Sequence, residues 1–261
     1  MKRTLLALAL LLASLGVRAQ VNIQEMYDVN RGHFTTTLEM FKTDKWGSTF
    51  FFNDIYHTDN FYPTDYYTEI ARSLNFWQNT KLAPLSLHIE WNGGNGTFPI
   101  YGPEGYYGHS GYGVNNAWLF GLEYFLHNAN YNNTLTLQVL YKNIRLNEGI
   151  YNYPEGKINN VPMQLTAVWG MKDLFGVKGL VFSGFIDFWW ENHNWGNSQE
   201  SDWTSTVLLA EPQLWYNLGQ HFKCENLFIG GELEISNNFG GNASFQKGWD
   251  FNPAVGIKWN F

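Results

Sequence analysis

Pro253-Ala-Val-Gly-Ile-Lys-Trp-Asn-Phe261 carries a two-residue rhythm. Phe251, Pro253, Val255, Ile257, Trp259 and Phe261 occupy every second position, with Asn252, Ala254, Gly256, Lys258 and Asn260 between them. A period of two describes an extended strand with one apolar and one polar face, because successive side chains point to opposite sides. The same rhythm runs through Leu85 to Trp91, Leu135 to Tyr141, Val161 to Met171 and Leu227 to Ile235. Twelve such segments fall near residues 21–29, 33–42, 46–55, 66–76, 85–92, 116–127, 131–142, 161–171, 179–191, 206–218, 226–237 and 249–261. Few windows repeat at three and four, and β-branched and aromatic residues dominate, so amphipathic helix is a poor description.

The opposite end of the chain carries the three-part layout of a secretory leader. Met1-Lys2-Arg3 is positive, Leu5 to Leu12 is a short apolar run, and Val17-Arg18-Ala19 offers a small-residue cleavage site. Residues 1–19 are therefore read as a signal peptide and 20–261 as one domain, a length that suits a single β-barrel. Aromatics make up 18% and charged residues only 15%, a composition unusual for a water-soluble domain. The net charge is −7, and removing Lys2, Arg3 and Arg18 with the leader makes it more negative. An acidic chain without clustered Lys and Arg excludes a nucleic-acid polymer as the natural partner. Cys224 is alone, so no internal disulfide is expected. No run after the leader reaches the ~20 apolar residues of a membrane helix, so any membrane crossing is made by strands.

The connections divide by length. Those after segments two, four, six, eight and ten are short, beginning with Thr43-Asp44-Lys45, whereas those after three, five, seven, nine and eleven are read as longer. The longest, between Gly93 and Asn115, is read as a loop of about twenty residues. An even strand count with short turns at one end and long loops at the other is the plan of a closed antiparallel transmembrane barrel. A soluble barrel would bury its apolar face inside. Twelve strands are expected to enclose a ring too wide for side chains to fill, so the polar face should line the lumen and the apolar face should meet lipid. Trp46, Trp77, Trp91, Trp118, Tyr216, Trp249 and Trp259 lie at segment ends, where interfacial girdles belong. The last segment should pair with Val21–Val29 to seal the ring.

A terminal aromatic with apolar residues at every second position before it resembles the sorting signal of bacterial outer-membrane barrels, with Trp259 and Phe261 in the assembly role. "TLEMFKTDKWGSTFFFNDI" (Thr37–Ile55) and "EIARSLNF" (Glu69–Phe76) resemble the N-terminal third of the Tsx-like nucleoside-specific channel-forming porins. "AWLFGLEYFLHNANYNNTLTLQVLYK" is similar to their central hairpin and "MKDLFGVKGLVFSGFIDFWWEN" to a later one, while "VGIKWNF" matches their ending. The likeness extends to an uncharacterised barrel family of Gram-negative gut-type bacteria related to those porins. It implies a narrow monomeric barrel in outer-membrane lipid, placed there by the barrel-insertion machinery, through which nucleosides and similar small solutes diffuse without a cofactor.

Charge on the lipid face is costly, about 2–4 kcal/mol for Lys or Arg near the midplane, so charged strand residues are assigned inward. That rule places Glu39, Asp54, Glu69, Glu90, Glu123, Asp187, Glu211, Glu232 and Glu234 in the lumen, with Phe50, Phe52, Phe185, Trp189, Trp215 and Phe228 on the same parity. Lys142 and Lys258 are the inward cations. Arg72 falls on the lipid-facing parity when Glu69 points in, and sequence alone leaves it unassigned. Aromatic faces can stack on a base, and carboxylates can accept hydrogen bonds from ribose hydroxyls. The same acids could equally serve to solvate the channel and pair with Lys and Arg across it. An enzyme of lipase or protease type in the same architecture would need a base oriented by a third group beside a nucleophile. His109-Ser110 and His193 are its candidates, and adjacency in a glycine-rich stretch gives no such arrangement. The seven histidines lack metal-ligand spacing. A surface-binding barrel using the Tyr-rich loops is a further alternative.

Overall fold

Period-two alternation becomes a single closed sheet. The computed structural model describes residues 20–58, 60–103, 105–145, 161–196, 200, 202–241, 244 and 246–261. The leader at 1–19 lies outside the described residues. Strands β1 (Gln20–Asp28), β2 (His33–Asp44), β3 (Gly47–His57), β4 (Pro63–Leu74), β5 (Leu85–Gly102) and β6 (Gly105–His127) follow one another as antiparallel neighbours. β7 (Asn133–Arg145), β8 (Met163–Lys172) and β9 (Leu180–Trp189) continue the meander. β10 consists of two collinear pieces, Val207–Ala210 and Gln213–Asn217, and β11 (Leu227–Asn237) and β12 (Trp249–Asn260) complete the twelve. β12 then pairs with β1 from Asn22↔Asn260 to Asp28↔Ala254, and the Phe261 amide donates to the Val21 carbonyl at 2.9 Å. Closure leaves no sheet edge to satisfy within the ring, which is the condition for a strand bundle to sit in hydrocarbon.

The break in β10 has a local cause. Pro212 has no N–H to give to the ladder. On either side the ladder holds, with Glu211 N donating to Phe185 O and Leu233 N to Pro212 O, both at 3.0 Å. Gly184, at φ 147, lies against this point, where a Cβ would stand 2.3 Å from the Glu211 carbonyl oxygen.

Burial alternates with the sequence. In β12, Asp250, Asn252 and Ala254 are buried, whereas Trp249, Phe251, Val255 and Ile257 are more than half exposed. In β1 the buried set is Asn22, Gln24, Met26 and Asp28, with Ile23 and Tyr27 outside. Buried polar and exposed apolar is the inverse of a soluble barrel, and it is the pattern of a transmembrane one. Trp249 and Trp259 are exposed at the ends of β12 and Trp46 in the β2–β3 turn, as girdle residues should be, and Trp118 is exposed where β6 joins the wall. Arg72 is on the outer face near the end of β4. There it bends to Asp44 at 2.8 Å and donates to Thr49 Oγ1 at 3.0 Å, so the charge leaves the apolar belt by reaching toward the turn.

Three expectations are corrected. The stretch from Gly93 to Asn115 is largely not a loop: β5 runs 18 residues and β6 runs 23. Among the described residues, beyond Asn95 and before Asn116 these strands pair only with each other, as a two-stranded ribbon. The connection between β3 and β4 is short, because both strands continue to within a few residues of Phe61 and Tyr62. The inner face is also not polar throughout. Leu119 and Leu140 are 0% exposed although they lie on the inner face, because they pack with Ala117, Ile144, Trp189 and Val207.

Glu25, like Asp44 at the end of β2, is an acidic strand residue on the outer parity. Glu25 lies between inward Gln24 and Met26, and its Oε2 accepts from Thr36 Oγ1 at 2.6 Å. The same hydroxyl is 2.8 Å from His57 Nε2, and the His57 ring stacks on Phe61 at 4.4 Å. The carboxylate on this face is thus held by a hydrogen-bonded chain crossing β1, β2 and β3.

Candidate functional site: the lumen

Directly paired residues of neighbouring strands share a face. Asn22, buried inside, pairs with Glu39, Glu39 with Phe52, and Phe52 with Glu69. The inner face of β2–β4 therefore carries Glu39, Phe50, Phe52, Asp54, Tyr67 and Glu69. Phe50 and Phe52 have ring centroids 5.8 Å apart, and Phe52 and Tyr67 5.9 Å apart. This aromatic ladder is interleaved with held carboxylates. Tyr67 Oη donates to Glu69 Oε1 at 2.8 Å, Thr37 Oγ1 to Asp54 Oδ1 at 2.5 Å, and Asn22 Nδ2 to Glu39 Oε1 at 2.9 Å.

Another wall repeats the combination with Phe185 and Asp187 on β9. Lys142 Nζ donates to Gln164 Oε1 at 2.7 Å, Gln164 to Thr166 Oγ1 at 3.0 Å, and Thr166 to Asp187 Oδ1 at 2.5 Å. Glu69 is within electrostatic reach of Glu90, Asp187 and Lys142, and Glu211 of Glu232, Glu234, Asp54 and Glu69.

The remaining sequence-selected residues are placed differently. Glu90 and Glu123 are buried on either side of His88, whose Nε2 and Nδ1 each lie 3.0 Å from one of their oxygens. Glu232 accepts from Gln213 at 2.6 Å, and Glu234 from Arg31 at 2.7 Å. Trp215 is 1% exposed; it packs with Met26 and Ala254, and Phe228 packs on the same group. Its Nε1 donates to Gln213 at 2.8 Å, and Lys258 lies 4.2 Å over its ring. Lys142 lies 4.0 Å over Trp189 in the same manner. Both lumen lysines are therefore drawn onto indole faces, where cation–π attraction holds them. Phe50, Phe52, Asp54, Glu69, Phe185 and Asp187 are half-buried, as are Phe228 and Glu232, whereas Glu90, Glu123, Glu234, Trp189 and Trp215 are buried.

Sequence reasoning missed His88, Tyr67, Thr37, Thr166 and Arg31. His88 and Tyr67 were within reach by parity alone, since they share a face with Glu90 and Glu69, whereas Thr37 and Thr166 stand opposite Asp54 and Asp187 through the strand register. Arg31 sits in the β1–β2 turn, where alternation says nothing. Beyond the end of β9, Glu191 accepts from Trp189 Nε1 at 2.6 Å and lies 3.2 Å from His193. Burial would push the Glu191 carboxyl up, but His193, with help from Lys142 and Trp189, holds it down at about 2. The side chain of His109, on β6, is outside the described residues. Among the described residues, no group of three or more His, Cys, Asp and Glu is arranged to hold a metal.

A family model described as "Domain of unknown function (DUF5020)" matches residues 21–261. No curated protein sequence matches the chain. Among solved structures it is similar to the outer membrane protein Omp33 of Acinetobacter baumannii, with 10% identity and a TM-score of 0.39 over 94% of this chain and 98% of that one. It is also similar to Pseudomonas putida OprB at high pH, with 8% identity and a TM-score of 0.40 over 87% of this chain and 59% of that one. A third likeness is to CdiB from Acinetobacter baumannii, with 8% identity and a TM-score of 0.35 over 93% of this chain and 60% of that one.

Proposed function

The chain belongs to the DUF5020 family, and we propose that in this protein the barrel is a passive outer-membrane channel for small polar aromatic solutes, nucleosides foremost. The observation that carries the reading is the Phe50–Phe52–Tyr67 ladder interleaved with Asp54 and Glu69, with Phe185 and Asp187 on another wall. A base can stack on the rings while ribose hydroxyls donate to the adjacent carboxylates. The contacts are several and individually weak, as passage requires, since one tight site would trap its solute. The acid excess disfavours anions such as free nucleotides. Residues 1–19 act as a cleaved leader, Trp259 and Phe261 are read by the barrel-insertion machinery, and one chain makes one channel.

The test is solute entry into proteoliposomes, comparing adenosine with ribose and a size-matched neutral sugar. The wild type should admit adenosine preferentially, and Phe52→Ala should abolish most of that preference while leaving sugar entry intact. Equal rates for all three solutes, unchanged by Phe52→Ala or Glu232→Ala, would defeat the selectivity.

A further inference from the structure

The segment following β11 turns into the barrel. Phe239 packs against the apolar group on the inner face and meets Trp189 at a centroid distance of 6.1 Å, nearly perpendicular. That group joins Leu119 on β6 and Leu140 on β7 with Val207 on β10, so its members span a chord of the ring. Gly240 is against His193, where a Cβ would stand 2.8 Å from the imidazole Cε1. Gly241 is held from another side: Arg31 Nη2, in the β1–β2 turn, donates to its carbonyl oxygen at 2.9 Å. The same guanidinium nitrogen is 2.7 Å from Glu234 Oε2, and Nη1 is 3.7 Å from Asp28.

We propose that Asn238–Gly241 is the constriction of the channel, with Phe239 setting the size of what passes and Arg31 clamping the segment to the inner wall. The inference rests on the channel reading above and adds the place where passage is decided. Three physical facts support it. An aromatic ring seated on buried apolar side chains excludes water and ions from that level of the lumen. An arginine shared between a carboxylate and a backbone carbonyl ties the two together through one charge-assisted contact to each. The clamp also places a guanidinium, paired with Glu234 and Asp28, beside this segment at the end of the barrel where β1 turns into β2.

The experiment is ion conductance of purified wild type, Arg31→Ala and Phe239→Ala in planar bilayers, with heat-modifiable gel mobility confirming that each barrel is folded. The constriction predicts that both substitutions raise single-channel conductance several-fold, and that Phe239→Ala admits sugars too large for the wild type in liposome swelling. A conducting wild type whose conductance and size limit are matched by both variants overturns the constriction and leaves the channel reading standing. Folded barrels that conduct in none of the three forms overturn both.

Discussion

Val255 and Val168 make a controlled pair for the inside-out reading of this barrel. Both are valines in the middle of their strands, and both are open to their surroundings, at 58% and 39% exposure. Val255 is on the outer face of β12, opposite Tyr27 and Gly231. Val168 is on the inner face of β8, two residues beyond Thr166, whose hydroxyl reaches Asp187. Arginine at position 255 would stand in hydrocarbon near the midplane, at a cost of about 2–4 kcal/mol, or roughly 30- to 700-fold in the folding equilibrium. Arginine at position 168 would enter a polar, acid-lined lumen, where the cost should stay below ~1 kcal/mol. Reversible unfolding in lipid vesicles, followed by Trp fluorescence across a denaturant series, measures both. Equal costs, or a larger cost for Val168→Arg, would refute the face assignment and with it the lipid-exposed belt.

Two further outcomes follow from the contacts. Trp215→Phe removes the indole donor to Gln213 and the larger ring beneath Lys258, and should cost about 1–2 kcal/mol in the same unfolding assay. Deleting Phe261 should lower the yield of inserted, heat-modifiable barrel before it changes permeation per inserted molecule; the reverse order would detach the terminal aromatic from assembly.

Alternation made the strands, their inner and outer faces and the closure of the last strand on the first legible from sequence, because a side chain's face follows from parity alone. It failed where other physics rules. Between Gly93 and Asn115 the glycines suppress the hydrophobic rhythm, yet hydrogen bonding from Asn95↔Gly113 to Gly102↔Gly105 continues the hairpin. Glu25 breaks the inward rule, because an outward carboxylate needs only the Thr36 hydroxyl on the next strand, and that proximity depends on register. Arg72 needed the position of Asp44 at the end of β2. The inward turn of Phe239, and the filling of the inner face around Leu119 and Leu140, depend on contacts between strands far apart in sequence. No local pattern reports such contacts.

Under the proposed function, the lumen takes a base together with its sugar. This is tested most directly by the ion current through wild-type channels in a planar bilayer as adenosine is added. Adenosine should cause transient, concentration-dependent blockade and ribose little, and the adenosine effect should be lost in Phe52→Ala. Identical responses to adenosine and ribose in a conducting channel would contradict it.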